Sequence, residues 1–130
     1  MKSILKRIYN IQSEYILAHF EKIKVSSGRG LFNLRCFSNV VQYAKEKKQS
    51  HIVLVFILDG KQVILHCVNI DSKGRYIENT LGYQSEDWDY FFVKRIEAEF
   101  GSANSTFKEM RSFMKRITPW YLRWSKHSEV

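Results

Sequence analysis

Residues 51 to 71 read HIVLVFILDGKQVILHCVNID, two β-branched and apolar runs on either side of Asp59 and Gly60. An Asp-Gly pair between such runs is the strongest short hairpin signal a sequence gives, because the tight turn needs a positive φ that glycine adopts without steric cost. The first run, residues 52 to 58, is apolar throughout, so it is expected as a central strand covered on both faces. In the second run, alternation puts Ile64, His66, Val68 and Ile70 on one face and Val63, Leu65, Cys67 and Asn69 on the other. A histidine inside this hairpin is either ordinary core packing or one half of a nucleophilic pair whose partner lies elsewhere in the chain.

The elements around the hairpin decide where that partner sits. Upstream, ILKRIYNIQSEYILAHFEKI spaces Ile4, Ile8, Ile11, Tyr15, Phe20 and Ile23 three to five residues apart, which predicts an amphipathic helix within residues 1–24. SSGRG at 26–30 marks a loop. CFSNVVQYAKEKK then carries Phe37, Val40, Val41 and Ala44 at helical spacing and ends in lysines, which suit the negative end of a helix. Cys36 therefore falls at a helix N-terminus. Downstream, Asp71, Ser72, Lys73 and Gly74 make a turn and RYIENTL a third strand, while DYFFVKRIEAEF reads as a further strand with a helix as the alternative. Thr106 and Glu109 have the spacing of a capping box ahead of FKEMRSFMKRI, and Pro119 marks a new short helical start. The order is helix, loop, helix, antiparallel meander, helix: an α+β layout in one domain, with residues 33–97 as the helix-plus-sheet core and 105–130 as a basic helical segment.

A chain of 130 residues, 45% apolar and 26% charged, is long enough for one real core and does not have a disordered composition. No apolar run approaches the roughly 20 residues that span a bilayer. The stretch MKSILKRIYNIQSEY interleaves charge too often for a signal peptide, so a cytoplasmic protein with no membrane partner is expected. Two cysteines, Cys36 and Cys67, are too few to staple a small secreted fold and are expected as free thiols.

The net charge of +8 is concentrated in the flanks: residues 1–35 carry seven basic and two acidic side chains, 36–104 eight and nine, 105–130 six and two. Such flanks attract nucleic acid or an acidic protein through long-range, salt-screened forces. At the C-terminal end, KRITPWYLRWSKH interleaves Trp120, Tyr121 and Trp124 with Lys115, Arg116, Arg123 and Lys126, a pattern suited to stacking on bases or anchoring on a partner protein. The plainer alternative has Trp120 and Trp124, four residues apart, packing a terminal helix onto the sheet.

A thiol becomes a strong nucleophile when ionised, and ionisation is favoured by the positive end of a helix and by a neighbouring imidazolium. Cys36 has the first by position, and His66 supplies the second if its face of the sheet points at the helix start. Such a histidine takes the thiol proton and later hands it to a leaving amine, and needs a third group to set its tautomer. Glu78 and Asn79, on the following strand, are the candidates.

This succession of Cys at a helix start, His in a following strand and an acid in the next resembles the transglutaminase-like branch of the papain-like cysteine enzymes. In that branch the His strand is followed by a Gly-containing turn and an Asp-Pro-Thr-like tripeptide whose Asp orients the His. The matching elements are His66, the turn with Gly74, and Glu78, Asn79 and Thr80, with Glu78 at the Asp position. The CFSN opening, Cys36 with Asn39 one turn later, is similar to the catalytic helix of short bacterial and phage-encoded members. The resemblance covers residues 33 to 82 and implies a papain-like fold with Cys36 as nucleophile, His66 as base and acid, and Glu78 or Asn79 as orienter. It implies acyl transfer through a thioester, by hydrolysis or transglutaminase-type amide exchange, on a protein or peptide substrate. The chain departs from the family in carrying Glu for Asp, Cys67 and Val68 where an aromatic is common, and no obvious glutamine as oxyanion donor. The Cys36 N–H and the Asn33 amide are the candidates for that role.

Each of these residues has a plainer reading. Cys36 is then a small buried residue, His66 a satisfied sheet histidine, Glu78 a surface acid and Asn79 a turn residue, while Cys67, facing away from His66, belongs to the core. No C-x-x-C or H-x-x-x-H spacing supports a metal site, SSGRG lacks the Lys and Ser or Thr of a phosphate loop, and no cofactor is expected. The competing functional reading is a non-catalytic basic module on the same scaffold that binds nucleic acid or an acidic protein, such as a host-factor inhibitor.

Overall fold

The computed structural model describes residues 2–28, 36–47, 51–81, 87–96 and 100–122. Among them are three α-helices, α1 (Lys2–His19), α2 (Cys36–Glu46) and α3 (Phe100–Ile117), and a short 3-10 helix, Trp120–Leu122. The strands are β1 (Lys22–Ile23), β2 (Val25–Ser27), β3 (His51–Leu58), β4 (Val63–Ile70), β5 (Tyr76–Glu78) and β6 (Asp89–Ile96). The fold is α+β.

The hairpin is the centre of the sheet. β3 pairs antiparallel with β4 along its whole length, from His51 opposite Ile70 to Leu58 opposite Val63, and with β6 on its other side. The connection is a four-residue loop, 59–62, in which Gly60 takes φ 91° and the Asp59 carboxylate accepts the N–H groups of Lys61 and Gln62, both at 2.8 Å. Every residue from Ile52 to Leu58 is buried, because one face of β3 looks into the sheet's concave side and the other meets the helices.

The sheet order is β1-β6-β3-β4-β5-β2, with β1 antiparallel to β6 and β2 parallel to β5. The two edge strands are separated in sequence by Lys24 alone. Since one residue spans under 4 Å of extended chain, the two edges must approach each other, and the sheet curls into a nearly closed barrel. Its interior holds Val53, Val55, Ile57, Val68 and Tyr90, with Trp88 and Phe92 packed against them. Outside, α2 lays Val40 on Leu54 and Cys67, while α1 and α3 bring Ile16 and Met114 onto Phe56 and Phe91.

Several expectations change here. The first helix stops at His19, and residues 22–27, read as helix end and loop, form both sheet edges because Ile23 and Val25 can point inward only from extended chain. The sheet is mixed, not a pure antiparallel meander, since the seam strand β2 runs parallel to β5. Residues 89–96 are strand, the first of the two alternatives for that run. α3 begins at Phe100, so Thr106 is a buried residue within the helix and not at its start. The Gly-Ser-Ala-Asn-Ser stretch is helical although its intrinsic propensity is low, propensity being only a weak determinant. Past Pro119 the chain makes its short 3-10 turn, and Trp120 is 71% exposed, which sets aside the idea that it packs on the sheet. Trp124, Arg123 and Lys126 lie outside the described residues. No helix among the described residues is long and apolar enough to cross a membrane.

The seam is tight at Gly28, whose N–H donates to the Glu78 carbonyl at 2.7 Å. A Cβ there would overlap Asn79 Oδ1 and come within 2.6 Å of Ile77 Cγ2. Gly28→Ala is expected to push β5 outward and destabilise the fold by about 1–3 kcal/mol, the usual cost of overpacking. Urea unfolding checks this, and an unchanged midpoint would show that the seam gives way freely.

Candidate active site

The site lies where the sheet is incomplete. β5 pairs with β4 only at Asn69 and Ile70, so among the described residues no strand flanks β4 on that side from Val63 to Val68. Cys36, the first residue of α2, sits at this notch. It packs against the cluster that holds Cys67, and hydrogen bonding from the His66 and Cys67 side chains and from the Cys67 backbone N–H favours its ionised form. Successive residues of a strand point to opposite faces. A sulfur that reaches both therefore occupies the strand's edge.

This corrects one step of the sequence reading. The body of α2 packs on the outer face, with Leu65 and Cys67, and His66 belongs to the barrel side. Only the helix's first residue turns the corner to meet it.

His66 is buried, and its Nε2 lies 2.8 Å from Glu78 Oε1 and 3.0 Å from Oε2. With Nε2 committed to the carboxylate, Nδ1 is the nitrogen left for the Cys36 sulfur. Glu78 is no surface acid: it is 0% exposed. Tyr90 donates its hydroxyl to Oε1 at 2.6 Å, and the N–H groups of Thr80 and Leu81 donate to Oε2 at 3.0 and 3.2 Å. The extra methylene of Glu over Asp is taken up by the turn at 79–81 folding back over the carboxylate.

Asn79 is committed elsewhere. Its amide donates to Asn69 Oδ1 at 2.7 Å, and Asn69 in turn donates to the Val40 carbonyl of α2 at 2.9 Å. Asn39 donates to Thr80 Oγ1 at 2.9 Å. These amides tie the helix carrying the thiol to the strands carrying the imidazole and the carboxylate. Of the four candidates the structure thus joins Cys36, His66 and Glu78 in one hydrogen-bonded line and puts Asn79 in the supporting ties. Asn33, the other oxyanion candidate, lies outside the described residues.

The electrostatics follow from these contacts. On Cys36, the hydrogen bond from the Cys67 side chain is the largest influence. Burial opposes it, the hydrogen bond and charge of His66 add to it, and the thiol comes down to about 4. Burial alone would push the His66 imidazolium down, but hydrogen bonds to Cys36 and Glu78 and their charges raise it to about 9. Burial likewise works against ionised Glu78, yet the hydrogen bond and charge of His66, with help from Tyr90 and the Thr80 N–H, hold the carboxyl below its usual range. Tyr90 is pushed up by burial and by the Glu78 charge, and stays a donor. Thiolate, imidazolium and carboxylate are the stable forms at neutral pH.

Sequence reasoning missed Tyr90, Gly28 and Asn69. The signal for Tyr90 was available, since it is an inward-facing polar aromatic at the start of a strand, but nothing in sequence says which carboxylate its hydroxyl meets. Among the described residues no group of three His, Cys, Asp or Glu side chains is arranged to hold a metal ion. Comparison with protein-family models, curated proteins and solved structures gives no match.

The two shifts have opposite consequences for stability, taking the ordinary values of 9.0 for cysteine and 6.5 for histidine as those of the unfolded chain. Raised His66 contributes stability that is complete below 6.5 and is lost as pH rises to about 9. Lowered Cys36 contributes stability that is absent below about 4 and grows as pH rises towards 9. Between 6.5 and 9 the loss and the gain cancel. Below 6.5 only the Cys36 contribution changes, joined near 4.5 by that of Glu78. The unfolding free energy is therefore expected to be flat from about pH 6.5 to 9 and to fall towards pH 4, with a shallower fall in Cys36→Ala. Urea titrations across pH check this, and equal falls in both proteins would contradict an ionised Cys36.

Proposed function

We propose that this chain is a papain-like, transglutaminase-like thiol enzyme that transfers acyl groups through a thioester on Cys36, acting in the cytoplasm on a protein or peptide. The observation that carries this reading is the line from Cys36 through His66 to a wholly buried, four-fold hydrogen-bonded Glu78. Structural histidines do not need a buried carboxylate behind them, whereas a base that must stay in one tautomer beside a thiol does.

The chemistry is then direct. The Cys36 thiolate attacks the carbonyl carbon of a peptide, isopeptide or side-chain amide, forming the C–S bond and a tetrahedral oxyanion. The backbone N–H of Cys36, in the first turn of α2 where no intrahelical acceptor exists, is a donor for that oxyanion. His66 passes its proton to the leaving nitrogen as the C–N bond breaks. It then takes a proton from the water or amine that attacks the thioester, and the thiolate leaves. Glu78 keeps Nε2–H occupied throughout, so that Nδ1 faces the sulfur.

The test is alkylation of Cys36 by iodoacetamide at pH 6, followed by peptide mapping, in wild type, His66→Ala and Glu78→Gln. Fast modification of the wild type and slow modification of His66→Ala are expected, with Glu78→Gln between them. On any amide substrate, turnover should vanish in Cys36→Ala and drop about 10²–10⁴-fold in His66→Ala, the usual range for a positioned acid-base group. Equal, slow alkylation in all three proteins would overturn the reading.

A second reading has its own observation. Where α1 meets the short 3-10 helix after α3, Arg7 lies 5.5 Å over the ring of Tyr121 and donates to its hydroxyl at 3.2 Å, beside the exposed Trp120. This exposed basic and aromatic surface suits an anionic partner, nucleic acid or acidic protein. If nucleic acid binds there, affinity should fall steeply as salt rises, and Arg7→Ala with Trp120→Ala should weaken it; salt-insensitive binding would exclude it.

A further inference from the structure

The mechanism uses one of the chain's two thiols and leaves the other, Cys67, without a role. Cys67 follows the base directly in β4, is 0% exposed, and packs beneath α2 in the same apolar cluster as Cys36. Cys36 packs against this cluster at the start of α2, and hydrogen bonding from the Cys67 side chain and backbone N–H is what draws its thiol down. The notch explains this convergence. Among the described residues no strand pairs with β4 at Cys67 on the side away from β3, which leaves that edge open to the sulfur, while the Cys67 side chain lies on the helix side. Cys36 is thus held from the helix side by Cys67 and from the barrel side by His66.

Two thiols in contact share one negative charge, and the surroundings decide which sulfur holds it. Cys36 begins a helix and touches His66. Cys67 is deeper and feels the repulsion of Glu78, and its thiol is pushed up, first by the hydrogen bond to Cys36, then by burial and by the charges of Cys36 and Glu78. The titratable groups facing the pair are His66 on β4 and, behind it, Glu78 on β5 and Tyr90 on β6. From α3 the residues packed here are Phe107 and Met110, which carry no charge.

We propose that Cys67 is a positioning residue for the nucleophile, its S–H donating to the Cys36 thiolate so that the charge is held on Cys36 within reach of His66. This inference rests on the thiol-enzyme reading and extends it: the position after the histidine, where the resembled family often has an aromatic, here carries a second-row hydrogen-bond donor directed at the nucleophile. A purely structural Cys67 would tolerate any small side chain without changing how Cys36 titrates.

The experiment follows the rate of Cys36 alkylation against pH in the reduced wild type, Cys67→Ala and Cys67→Ser. Cys67→Ala removes the donor with little change in volume, and Cys67→Ser restores one. At pH 5 the alanine variant is expected to react about tenfold more slowly than wild type, the loss produced when the thiolate midpoint rises by about two pH units from its value of about 4, and the serine variant should recover most of that loss. An alanine variant with the wild-type profile would overturn the inference and leave the thiol-enzyme reading standing. A wild type that is itself slow at pH 5, with a midpoint near that of a free thiol, would instead defeat both.

Raman spectroscopy of the unmodified wild type at pH 7 provides a measurement independent of any variant's folding. A single S–H stretching band is expected, lowered by hydrogen bonding, which rises in frequency when Cys36 is alkylated. Two S–H bands, or one that alkylation leaves unmoved, would count against the Cys67 donor.

Discussion

The structure depends on keeping one carboxylate ionised where water cannot reach it. An isolated charge in a protein interior costs many kcal/mol and normally neutralises itself. Glu78 escapes that fate because four donors from three parts of the chain converge on it: His66 from β4, Tyr90 from β6, and the Thr80 and Leu81 amides from the turn after its own strand. These groups meet only if the sheet is curled, so the charge and the barrel require each other. Losing any one donor would leave a buried charge less well satisfied, which is why such networks either form completely or fail.

The same logic extends outward to Cys36. An apolar helix-to-sheet interface alone permits sliding, since Val40, Leu54 and Cys67 would pack nearly as well with the helix shifted. The amide ties from Asn69 to the Val40 carbonyl and from Asn39 to Thr80 remove that freedom, because a shifted helix would bury them unpaired. They place the first residue of α2 at the notch beside β4. The position of the Cys36 sulfur is thereby set by polar contacts away from it.

How much of this was readable in advance varies with the range of the interaction. The hairpin, α2 and the alternation that separates His66 from Cys67 follow from local periodicity, and all are present. The strand nature of 22–27 was hidden because two- and three-residue strands have no periodicity of their own; they exist only because β6 and β5 offer edges to pair with. The start of α3 was hidden because a residue pattern resembling a cap, Thr106 with Glu109, lies inside a helix that begins at Phe100. Glu78 and Asn79 were indistinguishable as orienters in sequence, being neighbours with similar hydrogen-bonding ability. A pleat of one residue separates them: Glu78 is opposite the inward side of β4, and Asn79 reaches Asn69 on the outer side.

By itself the sequence determined which residues are chemically able to act, and on which element and face each one rides, because both depend on side-chain type and near-neighbour spacing. Only the tertiary structure decided that β5 pairs with β4 at Asn69 and Ile70 alone. That short pairing leaves, among the described residues, the stretch of β4 at which Cys36 meets His66 and Cys67 together, and how far two strands pair is set by contact between distant segments, which no local pattern encodes.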